Sequence, residues 1–229
     1  MGFGAAEWDA VALSLKVATW ATLASLPFGI FVAYVLARYE FRGKQLVNAL
    51  VHLPLILPPV AVGYILLSIL GPHAPMGRFL EVVGLPVAFR WSGAAIAAAV
   101  MGFPLMVRAI RLSFEAADPK LEQAAASLGA PPMRVFATIS LPLALPGILT
   151  GAILAFAKAM GEFGATITFV SNIPGQTRTL PSAIYAFLQV PGGEGAALRL
   201  VVVSIIIATG ALLVSEMLAR RAARRLAGS

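Results

Sequence analysis

The sequence predicts an all-α, polytopic membrane protein that displays one short helix outside the bilayer, and three observations predict it. Apolar residues make up 59% of the chain and charged residues 12%, with a mean hydropathy of +0.89, a balance outside that of soluble domains. Five apolar runs are long enough to cross roughly 30 Å of hydrocarbon, where helices are the workable spans because they satisfy their own backbone. A polar stretch punctuated by proline and glycine, Asp118 to Pro142, interrupts those runs. Little soluble length is left over, so residues 1–229 read as a single transmembrane domain. The chain has no cysteine, which removes disulfides and thiolate metal sites from consideration.

The first run, Val11–Leu36, is a span rather than a signal peptide. Glu7 and Asp9 precede it in place of a basic segment, it exceeds the length of an ordinary signal core, and no small-residue cleavage pattern follows. The second, Leu46–Leu70, contains Pro54, Pro58 and Pro59, which break or bend it. His52 at its start reads as a packed or hydrogen-bonded residue, and it and His73 stand alone in apolar surroundings, without the partners of a metal site. The third, Trp91–Ile110, is bent at Pro104. The fourth, Pro142–Phe163, carries Gly147, Gly151, Ala155 and Ala159 at every fourth position, a small-residue stripe for close helix approach within the subunit or across a dimer. Pro181 then opens a short helix, Ser182–Gln189, whose Ile184, Tyr185 and Leu188 suit an interfacial position. Gly192, Gly193 and Gly195 join it to the fifth run, Ala196–Leu218.

Basic residues orient these spans. Arg38, Arg42 and Lys44 follow the first; Arg108, Arg111, Lys120 and Arg134 border the polar stretch; Arg220, Arg221, Arg224 and Arg225 end the chain. The alternate loops carry fewer, chiefly Arg78, Arg90, Arg178 and Arg199. The positive-inside rule then places the N-terminus outside, the C-terminus inside and the polar stretch in the cytoplasm. The net charge of +7 follows from this bias and requires no nucleic-acid partner.

The polar stretch begins as a capped helix. Asp118 suits the N-cap and Pro119 the first helical position, while Gly129, Pro131 and Pro132 stop the helix. Leu121, Ala124, Ala125 and Leu128 recur at i, i+3, i+4 and i+7 as one narrow apolar stripe, shaped to enter another protein's groove. The segment resembles the coupling motif of ABC importer permeases: Ala124, Ala125, Gly129, Ile139, Leu141 and Pro142 stand at the family's spacing. Gln123 occupies the position of the motif's Glu, with Glu122 one residue before it, so either of the two can carry the polar contact. The resemblance implies docking onto two copies of a cytoplasmic ATPase subunit, with an external solute-binding protein delivering substrate. ATP and Mg belong to the ATPase, because this chain has no G-x-x-x-x-G-K-[ST] phosphate loop and no nucleophile triad.

A second region narrows the family. Gly161-Glu162-Phe163-Gly164 leads into Ala165-Thr166-Ile167-Thr168-Phe169 and then Asn172-Ile173-Pro174-Gly175. With His52-Leu53-Pro54-Leu55, Leu57-Pro58-Pro59 and the run from Phe103 to Arg111, this is similar to molybdate importer permeases over nearly the whole chain. Molybdate, with tungstate as a near-isosteric second oxyanion, and a homodimer are what that resemblance implies. A sulfate or thiosulfate permease is the neighbouring reading. From a different class, a secondary transporter would use Lys158 and Glu162 as an ion relay. Those two residues are i, i+4 neighbours and close enough to pair, either beside the pathway or as a neutralised pair in the scaffold. Thr166, Thr168, Ser171 and Thr177 are the hydroxyls available to an oxyanion, or to the helix backbone itself.

Overall fold

The computed structural model describes residues 3–227, with side chains through 214 and at 217. The eleven α-helices among them are α1 (Ala5–Arg38), α2 (Lys44–Ile56), α3 (Pro59–Leu70), α4 (Pro75–Val82), α5 (Trp91–Ala116), α6 (Pro119–Ser127), α7 (Pro132–Val135), α8 (Leu141–Met160), α9 (Gly164–Val170), α10 (Leu180–Leu188) and α11 (Glu194–Ala227). A π-helical turn, Phe136–Ser140, joins α7 to α8. The terminal arginines expected to face the cytoplasm, Arg220, Arg221, Arg224 and Arg225, lie outside the described side chains.

The core is a three-helix stack of α1, α5 and α8, and its contacts give the direction of each helix. Lys16 lies 3.8 Å over the Trp91 ring and Tyr34 packs edge-on against Phe114 at 5.2 Å, so α1 and α5 are parallel. On the other face of α5, Gly147 meets Ser113, Gly151 meets Met106, and Ala155 meets Gly102, so α8 runs antiparallel to it. A β-carbon on Gly151 would lie 2.8 Å from the Met106 carbonyl oxygen, closer than packing permits. The small-residue stripe therefore serves packing inside the subunit: Gly147, Gly151, Ala155 and Ala159 are all buried.

Since α1 and α5 are parallel, the chain between them must return across the bundle. That return is α2 and α3, which meet at a 113° bend between Ile56 and Pro59. The second span, expected from its prolines to be broken or bent, is thus two short helices, of 13 and 12 residues. Pro58 and Pro59 cannot donate the backbone bonds that would join them. His52 Nδ1 lies 2.8 Å from the Asn48 carbonyl oxygen, a local hydrogen bond within α2.

The fourth span also differs from its expected bounds. It runs from Pro132 to Met160 rather than Pro142 to Phe163. Pro142 has no N–H for the Thr138 carbonyl, and the backbone widens there to a π turn in which the Leu141 N–H reaches Phe136 O. At the far end Gly161 closes α8, so Glu162 stands beyond the helix and not on its face. The short outer helix begins at Leu180 with Pro181 in its first turn, and the Leu180 N–H donates to Ser14 Oγ of α1 at 2.6 Å. At the start of α11, Arg199 pairs with Glu7 of α1 at 2.8 Å; Glu7 is 3% exposed. The chain thus ends with α11 leaving the end of the bundle where α1 begins.

Candidate functional site

At the opposite end of the bundle, α6 forms as its residues dictate. Asp118 accepts from the Lys120 N–H at 2.9 Å, Pro119 occupies the first turn, and Gly129 takes φ +85°, the left-handed conformation that a stop of this kind requires. Leu128 falls just outside the helix as its C-cap. No residue of α6 is buried. Leu121 is 50% and Leu128 90% exposed, Gln123 and Ala124 are exposed beside them, and Ala125 is half-buried. An apolar edge this exposed on a capped helix has the chemistry of a surface open to a partner, and the helix itself is fixed by its cap and stop with little burial.

The two polar residues left open by the sequence separate here. Glu122 Oε1 accepts from Arg38 at the end of α1, with the guanidinium nitrogens 3.0 and 3.1 Å away. The same guanidinium donates to the Ala117 carbonyl at 3.2 Å. Glu122 is committed inside the subunit, and Gln123 faces outward. Sequence reasoning used Arg38 only to orient the first span; its partner lies 84 residues away, and no local pattern signals the pair. Beneath it, Tyr34 packs edge-on against Phe136 of the π turn at 4.8 Å and Tyr39 at 6.0 Å, so the ends of three helices meet on one aromatic ring.

Lys158 and Glu162 lie in the other half of the molecule. Lys158 Nζ is 2.7 Å from Glu162 Oε2, and Glu162 Oε1 accepts from the Ala165 N–H at 3.0 Å. The carboxylate therefore does two things: it neutralises Lys158 and caps the first turn of α9. Glu162 is 1% and Lys158 29% exposed at the side chain, so the carboxylate is sealed and the ammonium reaches the surface. Two of the candidate hydroxyls, Thr168 and Thr177, are engaged locally. Thr168 donates to the Gly164 carbonyl at 2.8 Å, and Thr177 closes the 171–177 loop by accepting from the Ile173 N–H at 2.9 Å and donating to Ser171 O at 3.3 Å. Thr166 is buried, and Ser171 is exposed. The ammonium of Lys158 retains donors beyond its local bond.

A polytopic helical bundle with an exposed, capped helix displayed at one end is the architecture of a membrane permease subunit. The chain belongs to the family of binding-protein-dependent transport system inner membrane components, whose model matches residues 25–224. Within that family it is similar to the molybdenum transport system permease protein ModB of Escherichia coli (strain K12), 60% identical over 93% of this chain and 94% of the relative. The ModB protein of Haemophilus influenzae is 53% identical, over 96% of each chain. In fold it resembles a bacterial ABC transporter that imports the acidic polysaccharide alginate, with a TM-score of 0.74 at 17% identity, over 95% of this chain and 80% of that one. The protein is a multi-pass inner-membrane ABC importer permease.

Proposed function

We propose that this chain forms the translocation pathway of a molybdate importer, with tungstate as a second substrate. The observation that carries the substrate is its 60% identity to a molybdenum permease across almost the entire length of both chains. Residues 1–229 act as one transmembrane domain, two copies of which form a homodimer around the pathway. Two cytoplasmic ATPase subunits bind the nucleotide and Mg, and an external molybdate-binding protein loads the outer mouth. The segment 118–142 receives the ATPase, with Leu121, Gln123, Ala124 and Leu128 presented to it, Gly129 ending the helix, and Glu122 and Ala125 holding the helix to its own subunit. In the pathway, Lys158 is the cation of the proposed set, Lys158, Glu162, Thr166 and Thr168, and its remaining donors are offered to a dianion; the other three shape its surroundings.

The test is ATP hydrolysis in vesicles that contain permease, ATPase and binding protein. Molybdate and tungstate are expected to stimulate hydrolysis and to enter the lumen, while sulfate does neither. Stimulation by sulfate instead would assign the neighbouring oxyanion, and uptake without any ATPase would assign a secondary transporter.

The proposed orientation has its own check. Arg38, Arg42, Lys44 and Arg134 lie at the α6 end, which supports a cytoplasmic α6. Cysteines substituted at Ser127 and Gln176, both exposed, are expected to label from opposite sides. Ser127→Cys should react only when the reagent reaches the cytoplasm, and Gln176→Cys from outside intact cells. The reverse pattern would place α6 outside and remove it from the ATPase.

A further inference from the structure

We infer that Arg38 is a positioning residue, which ties the ATPase-docking helix to the first membrane span and passes its movement into the bundle. This rests on the reading of α6 as the receiver of the ATPase. No residue of α6 is buried, so its packing against α7 and the π turn is slight. From α1 it is met by the guanidinium of Arg38, the last residue of that helix. It forks between two acceptors: Glu122 Oε1 in α6, at 3.0 Å, and the carbonyl oxygen of Ala117, at 3.2 Å.

Ala117 is the C-cap of α5, whose last carbonyls lack partners inside their own helix. One planar cation therefore joins the ends of α1, α5 and α6. The Arg38 and Glu122 side chains are only 13% and 16% exposed, so water competes weakly for either. Glu122 also lies in the first turn of α6, where the helix dipole favours a carboxylate.

Geometry makes arginine necessary. The two acceptors lie on different elements, and a planar fork addresses both at once, whereas a lysine ammonium is a point charge on a flexible stem. The outward edge of α6, Leu121, Gln123 and Leu128, does not touch this latch. Docking and transmission are thus carried by separate residues of one helix. A push on that edge moves Glu122, and through Arg38 it moves α1. Since α1 packs along α5 as far as Trp91, the displacement extends toward the other face of the bundle.

The experiment measures molybdate transported per ATP hydrolysed in vesicles, together with copurification of the ATPase, for R38K, R38A, E122A and R38A/E122A. Each single variant is expected to keep the ATPase bound and to lower transport per ATP by about tenfold, within the usual range of a coupling between sites. The double variant is expected to fall no further than R38A alone, because one latch has been removed twice. R38K retains the charge and much of the packing, and it decides the matter if R38A does not fold. An unchanged ratio in R38K and E122A overturns the latch. Loss of ATPase copurification overturns it as well, since it would put both residues in the docking surface. A wild-type complex that binds no ATPase defeats the reading of α6 itself, an outcome distinct from either.

Discussion

Replacing Lys158 with methionine is expected to destabilise the assembled permease more than replacing its partner Glu162 with glutamine. The two ends of the pair are not equivalent. Glu162 is sealed at 1% side-chain exposure, so losing the lysine strands a carboxylate without a counter-charge. Breaking a buried pair in this way costs roughly 3–5 kcal/mol, and more where lipid rather than water surrounds it. Glutamine at 162 still accepts from the Ala165 N–H and so keeps the cap on α9, while the ammonium of Lys158, 29% exposed, is not sealed within the protein. The double variant K158M/E162Q removes both charges and is expected to recover most of the lost stability. Thermal unfolding of the detergent-solubilised complex gives the cycle, and molybdate flux in vesicles gives its functional counterpart. Recovered assembly with low flux assigns Lys158 to the pathway; recovered assembly with normal flux assigns the pair to the scaffold. A K158M variant no less stable than E162Q would show that Glu162 is not a buried charge in need of its partner.

The second large effect is expected at Gly63, where α3 crosses α9. A β-carbon there would lie 2.5 Å from the Ala165 carbonyl oxygen and 2.8 Å from Thr168 Cβ, against backbone that has no rotamer by which to retreat. Gly63→Val must force the two short helices apart, and overpacking of this kind costs about 1–3 kcal/mol or more. Because α9 begins at the Glu162 cap, the displacement reaches the ion pair as well. The monodisperse fraction in detergent is expected to fall sharply for Gly63→Val and to stay level for Gly210→Ala, whose β-carbon would meet nothing within 4 Å. Equal behaviour of the two variants would mean that α3 and α9 do not approach as closely as described.

Much of this architecture is legible in the sequence because its signals are local. The cap, first turn and stop of α6 are each carried by one residue, Asp118, Pro119 and Gly129, and all three behave as their chemistry requires. Long apolar runs read as spans for the same reason. What escapes is whatever depends on a distant partner or on a break that hydrophobicity does not mark. The bounds of the fourth span shift because Pro142 sits within a continuous helical stretch widened to a π turn, whereas in the sequence it reads as the end of the polar stretch. Glu162 has the right spacing to pair with Lys158, but Gly161, set in an apolar run without a following proline, does not by itself announce that the helix has ended at Met160. The small-residue stripe is visible at every fourth position, yet the face it meets is settled only by the antiparallel fit of Gly147, Gly151 and Ala155 against α5. Glu122 is the clearest case: its role is decided by an arginine 84 positions earlier.

The Glu7–Arg199 pair bears on how the protein is made. The two residues are 192 positions apart, which at ordinary rates of synthesis is about 10–40 s of translation. Throughout that interval the nascent first helix carries an acid whose final resting place is dry and whose counter-charge does not yet exist. The carboxylate must stay hydrated at its own membrane face until the last helix emerges, so the first helix cannot settle to its final depth early. Closure of the bundle is timed by completion of the chain. A product that stops before residue 199 would lack the counter-charge that Glu7 meets in the folded bundle.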